Sequence, residues 1–201
     1  MDKKIITISR EFGSGGRTIG RLVAEKLDIP FYDKELVEHI ALESGFAPAY
    51  IEENGEHAPG KSIFAYAFAH HVVPGAMEGM STADFLWNIQ CDVILRLADQ
   101  GPCVIVGRNA DYILKDRTDT LHTFIHADTE FRAKRIVELY GESDKSPIAR
   151  LNEKDKRRKV NYHHYTGGTW GDSRNYDISL DSSTLGVEKC VEIILSLINN
   201  K

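Results

Sequence analysis

The chain has 201 residues, which suits a single domain spanning residues 1–201 and suffices for a full hydrophobic core. Its formal net charge of −5 argues against a broad nucleic-acid-binding surface, and no run approaches the ~20 apolar residues of a membrane span, so we expect neither partner. Its three cysteines lack C-x-x-C spacing, which suits a reducing compartment, and we therefore expect a cytoplasmic protein.

Apolar runs and amphipathic segments alternate along the chain. In chain order the predicted elements are a strand at 5–9, helices ending at residue 27 and at Gly45, a helix from Ser81 to Gly101, strands at 103–107 and 123–127, a helix from Asp128 to Ile136, a strand at 176–181 and a helix over 187–198. The first three strands are continuously apolar, which is typical of strands buried on both faces. The fourth alternates apolar and polar residues, which suits an edge strand.

Strands that alternate with helices predict parallel pairing, right-handed crossovers and helices on both faces of the sheet. We therefore predict an α/β fold, a three-layer α/β/α sandwich with a mainly parallel sheet. An irregular stretch at about 46–80, which contains several prolines and glycines, is interpreted as an insert within this domain. Ligands of such sheets bind beyond the carboxyl ends of the strands. Functional residues are thus expected just after the first three strands.

A glycine-rich loop, E11-F-G-S-G-G-R-T18, follows the first strand and leads into a helix. Glycines allow successive backbone N–H groups to turn inward and form a concave anion site, and a helix N-terminus adds partial positive charge. The loop therefore predicts binding of nucleotide phosphates. The residues expected to contact them are Gly13, Ser14, Gly15, Gly16, Arg17 and Thr18.

This loop departs from the phosphate-loop pattern G-x-x-x-x-G-K-[ST] at two positions. Glu11 replaces the first glycine, and Arg17 replaces the lysine. Arginine keeps the positive charge but offers a planar fork in place of a compact ammonium group. Thr18 retains the hydroxyl at the position that holds Mg²⁺ in enzymes with this loop. The alternative is a structural strand-to-helix turn without a ligand.

Segments beyond the loop carry a resemblance to a known family. They are IPFYDKELV (29–37), CVIVGRNADYIL (103–114), HTFIHADTEFRAKRI (122–136) and YDISLDSSTLGVEKCVEIIL (176–195). Together with the loop they resemble the cytidylate kinase-like branch of the P-loop nucleoside monophosphate kinases over nearly the whole chain. The run 154–177, with its Thr-Trp-Gly-Asp, resembles the uncharacterised cytidylate kinase-like group more than the enzyme proper.

The resemblance implies a P-loop kinase fold with a lid segment, ATP and Mg²⁺ as cofactors, and a small-molecule nucleotide as substrate. Asp33 matches an aspartate that faces the acceptor nucleotide, and Arg108 matches an arginine that reaches the acceptor phosphate. Asn109 replaces an aspartate of the family pattern, and Val106 replaces an acidic residue that helps to organise the water shell of the metal. The changes at Val106 and Arg17 leave the rate and the placement of Mg²⁺ open. The long insert before residue 81 differs from the acceptor-binding segment of the family and leaves the acceptor base open.

Positive charge gathers at residues 153–159, within a lid-like region at about 146–175. Mobile arginines of a lid stabilise the charge that spreads over a transferring phosphoryl group and exclude water. Arg157 and Arg158 are therefore predicted to be catalytic, with Arg150 as a further lid candidate. Arg132 and Arg135, on the preceding helix, are candidates as well. The alternative is a solvated helix face, the usual role of a charge run.

Two residues named by the resemblance also have ordinary structural interpretations. Arg108 follows a buried strand and lies at the carboxyl end of the sheet, where its guanidinium could bind a phosphate through two hydrogen bonds. The alternative is a structural arginine bound to the sheet edge. Asp33 precedes a helix and could be its N-cap instead of contacting an acceptor.

The function predicted from these features is ATP-dependent phosphoryl transfer to a nucleoside monophosphate, with CMP or dCMP as the first candidate. Arg17, Arg108, Arg157 and Arg158 are the predicted catalytic residues. Thr18 is the predicted Mg²⁺ ligand, and Asp33 with Arg108 would bind the substrate. The alternatives are a nucleotide-binding sensor without catalysis and a kinase of a non-nucleotide small molecule.

Overall fold

The computed structural model describes residues 4–49, 51 and 80–198. Within these ranges it forms a five-stranded sheet in which every neighbouring pair is parallel, with helices on both faces. The predicted three-layer α/β/α sandwich is therefore confirmed. Most of the insert expected at about 46–80 lies outside the described residues.

The sheet has the strand order β2-β3-β1-β4-β5. Its strands are β1 Ile5–Arg10, β2 Phe31–Tyr32, β3 Cys103–Val106, β4 Thr120–His126 and β5 Ile178–Asp181. Four of them match the predicted apolar runs, and β5 lies at an edge as expected. The sequence analysis missed β2, because two residues are too few to give a recognisable apolar run.

Helices connect the strands and cover both faces of the sheet. They are α1 Gly16–Leu27, α2 Lys34–Ser44, α3 Thr82–Gln100, α4 Ala110–Ile113, α5 Thr129–Tyr140, α6 Pro147–Thr166, α7 Ser182–Leu185 and α8 Val187–Ile198, with a 3₁₀ turn at Ser173–Asn175. None of the helices in the described part of the chain combines the length and apolar character that a membrane span requires.

The hydrophobic core has two halves, one on each face of the sheet, because successive side chains of a strand point to opposite faces. Ile6 and Ile8 of β1 pack in one half with apolar residues of α1 and α8. Ile5 packs in the other half with apolar residues of α2 and α3. All three isoleucines are essentially inaccessible to solvent. A strand with both faces covered needs a continuous apolar sequence, which explains the run at 5–9.

Three predicted helix boundaries, at Ser81, Gly45 and Asp128, can be compared with the hydrogen bonds at the ends of α3, α2 and α5. Ser81 caps α3 as predicted, since its hydroxyl accepts a hydrogen bond from the Asp84 N–H at 3.1 Å. Gly45 ends α2 as predicted, with a left-handed φ of 72°. Asp128 precedes α5, but its side chain makes no capping hydrogen bond, so that expectation was wrong. Its backbone N–H instead donates to the Ser183 hydroxyl at 3.0 Å.

The parallel strands bring two connections, the loop after β1 and the turn after β3, to one edge of the sheet. The loop after β1 lies beside β4, because the Glu11 N–H donates to the Ile125 carbonyl at 3.0 Å. The turn after β3 lies beside β1, because the Gly107 N–H donates to the Ile8 carbonyl at 3.0 Å. The glycine-rich loop and the Gly-Arg turn, more than ninety residues apart in sequence, therefore face the same cleft.

Candidate active-site cleft

A cleft of about 390 Å³ opens at the carboxyl edge of the sheet, between the glycine-rich loop, the turn after β3 and the helices α5 and α6. Its size falls in the range of small-molecule sites. The described lining includes six cationic side chains, Arg10, Arg17, Arg108, Arg135, Lys154 and Arg158, and two acidic ones, Glu11 and Asp33. A protein with a net charge of −5 thus concentrates positive charge in one cleft. Such a cleft attracts polyanions.

The loop backbone turns at two glycines. Gly13 and Gly15 both have a φ of 82°, a region that side chains rarely tolerate, and Gly15 leads directly into α1. Together with Gly16 they line the cleft. The predicted glycine cradle at the start of a helix is therefore present.

Ser14 is placed differently from its neighbours. It is fully buried, and its hydroxyl is hydrogen-bonded to the carbonyl oxygens of Glu11 at 2.9 Å and Ile125 at 3.0 Å. Its own carbonyl accepts from the Ser182 hydroxyl at 2.5 Å. Its backbone N–H donates to the Glu11 carbonyl at 3.3 Å. Ser14 thus anchors the loop to β4 and α7, and it is not among the residues that line the cleft.

Glu11, which replaces the first glycine of the pattern, also fastens the loop to the end of β4. One carboxylate oxygen accepts a hydrogen bond from the Ala127 N–H at 3.2 Å and lies 3.4 Å from Arg132 Nε. The acidic side chain is therefore used to join the end of β1 to the end of β4. A glycine at this position would remove both contacts.

Arg17 and Asp33, predicted to serve donor and acceptor respectively, contact each other. The guanidinium of Arg17 forms an ion pair with the Asp33 carboxylate across the cleft. Asp33 stands at the N-cap position of α2, but its side chain makes no capping hydrogen bond. The capping alternative is therefore wrong. The pair joins the start of α1 to the start of α2.

The hydroxyl of Thr18, the predicted Mg²⁺ ligand, accepts a hydrogen bond from Arg135 Nη2 at 3.0 Å. Arg135 belongs to α5 and lines the cleft with Thr18. A guanidinium at this oxygen repels a metal ion, since both are cations. A cation could coordinate Thr18 only after Arg135 had moved.

Gly107, Arg108 and Asn109 form an unusual turn after β3, with successive φ values of 73°, 57° and 54°. Positive φ is uncommon for residues other than glycine, and such strain clusters at functional sites. Side chains hold the turn in place. The Arg108 carbonyl accepts from Gln90 Nε2 at 2.9 Å, and Asn109 Nδ2 donates to Asn161 Oδ1 at 2.9 Å.

Arg108 makes the anchoring contact of the structural interpretation and also lies at the cleft. It is largely buried, and its Nη1 donates to the Ile51 carbonyl at 3.1 Å, which ties down the chain after α2. It also lines the cleft.

The predicted lid arginines separate into two groups. Arg158 lines the cleft, and its Nη1 donates to the Arg10 carbonyl at 3.1 Å. Arg157 instead pairs with Glu153 at 2.5 Å, and Arg150 donates to the Gly141 carbonyl at 2.7 Å. Among the described residues that line the cleft, neither Arg157 nor Arg150 is found. Of the three candidates, the structure places Arg158 alone at the cleft.

Asp155 joins the lid-like helix α6 to the glycine-rich loop, a contact that the sequence analysis missed. Its largely buried carboxylate accepts hydrogen bonds from the Phe12 N–H at 2.8 Å, Arg132 Nη1 at 2.6 Å and Arg158 Nη1 at 3.4 Å. One carboxylate therefore contacts the loop, α5 and the cleft arginine of its own helix. We call these four residues the Asp155 latch.

A second group of buried polar residues lies beneath the cleft. Asp111 of α4 accepts a hydrogen bond from the Ser9 hydroxyl at 2.9 Å. Burial raises the pKa of the Asp111 carboxyl above its ordinary value. The Tyr162 ring belongs to an aromatic cluster with Phe124, Trp170 and Tyr176. That cluster packs α6 against the sheet.

The raised pKa of Asp111 predicts a pH-dependent loss of stability. The folded state holds this proton more tightly than the unfolded chain, so its stabilisation is full below the ordinary aspartate pKa of about 3.9 and is lost as pH rises above it. Asp111→Asn should therefore gain stability relative to the parent as the pH rises above about 4, measured by urea unfolding. Asn replacement of the exposed Asp116 is the control, and equal pH profiles for Asp111→Asn and the parent would contradict the prediction.

Arg10 and Lys154 are cleft residues that the sequence analysis did not select. Arg10 carried a usable signal, because it is the last residue of a buried strand and thus lies at the ligand-binding edge. Lys154 belongs to the charge run, in which nothing in the sequence distinguishes the residues that face the cleft.

Solved structures share this fold. An uncharacterized protein from Eubacterium ventriosum ATCC 27560 is 28% identical, with a TM-score of 0.73 over 98% of this chain and 99% of that chain. A gluconokinase from Sinorhizobium meliloti 1021 is 17% identical, with a TM-score of 0.56 over 99% and 95%. A shikimate kinase from Acinetobacter baumannii, in complex with shikimate, is 16% identical, with a TM-score of 0.55 over 97% and 92%.

The sequence comparisons address the family directly. Comparison with curated proteins gives no match. The model of the cytidylate kinase-like family matches residues 5–184, which include the glycine-rich loop, the Gly-Arg turn and the lid-like helix. Because that match covers most of the chain, the protein belongs to the cytidylate kinase-like family.

Proposed function

We propose that this protein transfers a phosphoryl group from ATP to a small molecule, with a nucleoside monophosphate as the acceptor and CMP or dCMP as the first candidate. The observation that carries the proposal is the cleft itself. Cationic side chains surround a glycine cradle at the start of α1, at the carboxyl edge of a parallel sheet. Phosphoryl transfer needs chiefly positioning and neutralisation of charge, and this lining supplies both.

The residues have distinct roles in this proposal. The glycine cradle and the N-terminus of α1 would hold the donor phosphates. Arg108 would bind the anionic group of the acceptor from the opposite wall, with a fork suited to a bidentate contact. Arg158 would neutralise charge from α6. Arg17 would reach the phosphates only after exchanging Asp33 for a phosphate oxygen, since the two residues form an ion pair.

The cleft fits the phosphates of ATP better than it fits a divalent cation. Among the described residues, no group of three or more histidine, cysteine, aspartate or glutamate side chains could hold a metal. Thr18 would be the protein ligand of Mg²⁺, with phosphate oxygens and water completing the shell once Arg135 releases its hydroxyl. Bound Mg²⁺ would neutralise phosphate charge. Val106, buried at the end of β3, offers no carboxylate to orient those waters.

Two other functions each have a supporting observation. Arg17 is paired with Asp33, and the Thr18 hydroxyl accepts a hydrogen bond from Arg135. These contacts favour a nucleotide sensor that does not transfer the phosphoryl group. Two solved structures with this fold, a shikimate kinase and a gluconokinase, favour a hydroxylated organic acid as acceptor. A cationic wall would bind a carboxylate as well as a phosphate.

The experiment that separates these functions is measurement of ADP production from ATP and Mg²⁺ with a panel of acceptors. The panel contains CMP, dCMP, UMP, AMP, GMP, shikimate and gluconate, with a reaction lacking acceptor as the control. We expect CMP or dCMP to raise the rate at least tenfold above the control. A rise with an organic acid alone would favour the non-nucleotide kinase. If no acceptor gave ADP production above the control while calorimetry detected ATP binding, the sensor would be favoured.

A further inference from the structure

The guanidinium of Arg135 lies over the glycine cradle. Its Nη2 donates a hydrogen bond to the Thr18 hydroxyl at 3.0 Å, which fixes one edge of the group. A Cβ placed on Gly15 would lie 3.6 Å from Arg135 Nε and 3.7 Å from Arg135 Cζ, which is ordinary van der Waals contact. Gly15 is the N-cap of α1, and Thr18 belongs to the first turn of that helix. These two contacts place the guanidinium at the N-terminus of α1.

The positive charge of Arg135 lacks a counter-charge within the described part of the chain, where no acidic side chain forms an ion pair with it. Of the two acidic side chains that line the cleft, Asp33 pairs with Arg17. The other, Glu11, pairs with Arg132. The first turn of α1 contains no acidic residue, and a cation at the positive end of a helix dipole is unfavourable. An anion in the cradle would compensate the helix terminus and Arg135 together.

The hydrogen bonding of Arg135 is also incomplete. Its Nε is buried, and no acceptor in residues 4–49, 51 and 80–198 bonds to it. A buried donor without an acceptor destabilises the arrangement that contains it. A phosphate oxygen would form a stronger, charge-assisted hydrogen bond with the guanidinium than the neutral Thr18 hydroxyl does. Arg135 is therefore poised to exchange the hydroxyl for a bound phosphate.

The same contact controls the access of a metal ion to Thr18. In enzymes with this loop the hydroxyl at this position holds Mg²⁺. Here it accepts a hydrogen bond from a guanidinium, and two cations at one oxygen repel each other. The positive charge that a phosphate needs is thus supplied by a side chain of the protein while Arg135 stays at the cradle.

We propose that Arg135 is the cation that first neutralises the phosphates of a nucleoside di- or triphosphate in this cleft, and that Thr18 becomes available to Mg²⁺ only after Arg135 has exchanged its hydroxyl for a phosphate oxygen. The inference rests on the proposed function and names the residue that decides how nucleotide binding depends on metal. Nucleotide binding precedes metal binding and does not require it.

The test is the metal dependence of ADP binding, measured by calorimetry in EDTA and in Mg²⁺. ADP is the probe because it lacks the phosphoryl group that would be transferred. Arg135→Leu and Arg135→Lys are compared with the parent and with Lys134→Gln, and thermal unfolding without ligand verifies the fold. Lys134 is a matched control, since it is the neighbouring cation of α5, its side chain is 81% exposed, and it pairs with Glu138 at 3.9 Å.

We expect the parent and Lys134→Gln to bind ADP in EDTA. Arg135→Leu should bind ADP about 10- to 100-fold more weakly in EDTA, the effect of a lost charge-assisted hydrogen bond. Mg²⁺ should recover most of that loss, because it replaces the missing positive charge at a hydroxyl that is no longer covered. Arg135→Lys should fall between, because it keeps the charge without the fork.

A parent chain that bound ADP only in Mg²⁺ would overturn the inference, whether or not the variants folded, and would leave the proposed function intact. Equal affinities of Arg135→Leu and Lys134→Gln in EDTA would also overturn it. A loss in Arg135→Leu that Mg²⁺ did not recover would overturn the exchange at Thr18. If Arg135→Leu did not fold, Arg135→Gln would take its place in these comparisons. A parent that bound ADP in neither condition would overturn the proposed function together with the inference.

Discussion

Replacement of Asp155 by alanine is expected to lower the free energy of unfolding by about 3–5 kcal/mol, the cost of breaking a buried ion pair from one side. The Asp155 side chain is 10% exposed, and those of its partners Arg132 and Arg158 are 9% and 11% exposed. Without the carboxylate, two nearly buried guanidinium groups lose a counter-charge. The Phe12 N–H also loses its acceptor.

The same replacement should weaken ligand binding, because the Asp155 latch holds α6 against the glycine-rich loop. Arg158, which reaches the cleft from α6, would no longer be fixed there. We therefore expect a lower affinity for ATP in calorimetry under conditions in which the variant remains folded. Asp155→Asn would retain an acceptor for Phe12 while removing the charge. It should fall between the parent and Asp155→Ala in urea unfolding.

Glu153→Ala is the matched control for the Asp155 latch. Glu153 lies in the same helix and also pairs with two cations, Lys145 and Arg157. Its side chain is 35% exposed, and water screens such pairs, so this variant should remain close to the parent in stability. Equal losses of stability in Asp155→Ala and Glu153→Ala would contradict the expectation that the buried ion pairs of Asp155 stabilise the fold more than the partly exposed pairs of Glu153.

Replacement of Gly13 by alanine is the second change with a large expected effect. A Cβ at Gly13 would lie 2.9 Å from the Arg132 carbonyl oxygen and 2.9 Å from Ile136 Cγ2. Both atoms belong to α5, whose backbone cannot retreat without breaking helical hydrogen bonds. The cost of the left-handed backbone, about 1–2 kcal/mol, adds to about 1–3 kcal/mol for overpacking. We expect a total loss of about 2–5 kcal/mol in urea unfolding.

Gly167→Ala separates the two contributions. Gly167 ends α6 with a φ of 68°, and a Cβ there would meet nothing within 4 Å. This control should therefore lose stability through backbone strain alone, and ATP binding should be unchanged. Gly13→Ala should lose stability and also bind ATP more weakly, because relief of the collision displaces the phosphate cradle. Parent-like ATP binding by a folded Gly13→Ala variant would argue against a phosphate site at this loop.

The sequence by itself determined the layered architecture of this protein. Residues 5–9 had to form a strand covered on both faces, since a continuous apolar run has no polar side to expose. Ser81 and Gly45 set helix ends through contacts within four residues. The glycines at 13 and 15 marked a sharp turn between strand and helix. Each of these features depends on neighbours along the chain, and local patterns therefore revealed them.

Only the tertiary structure decided which charged side chains line the cleft. Arg157 and Arg158 are adjacent in sequence, yet one pairs with Glu153 on its own helix and the other reaches the cleft. Asp155 meets Phe12 across 143 residues of sequence. The ion pair of Arg17 with Asp33 and the hydrogen bond of Arg135 to Thr18 likewise depend on how the helices pack. A long charged side chain has many rotamers, and its partner is fixed by the distance and burial that packing creates, which no local pattern encodes.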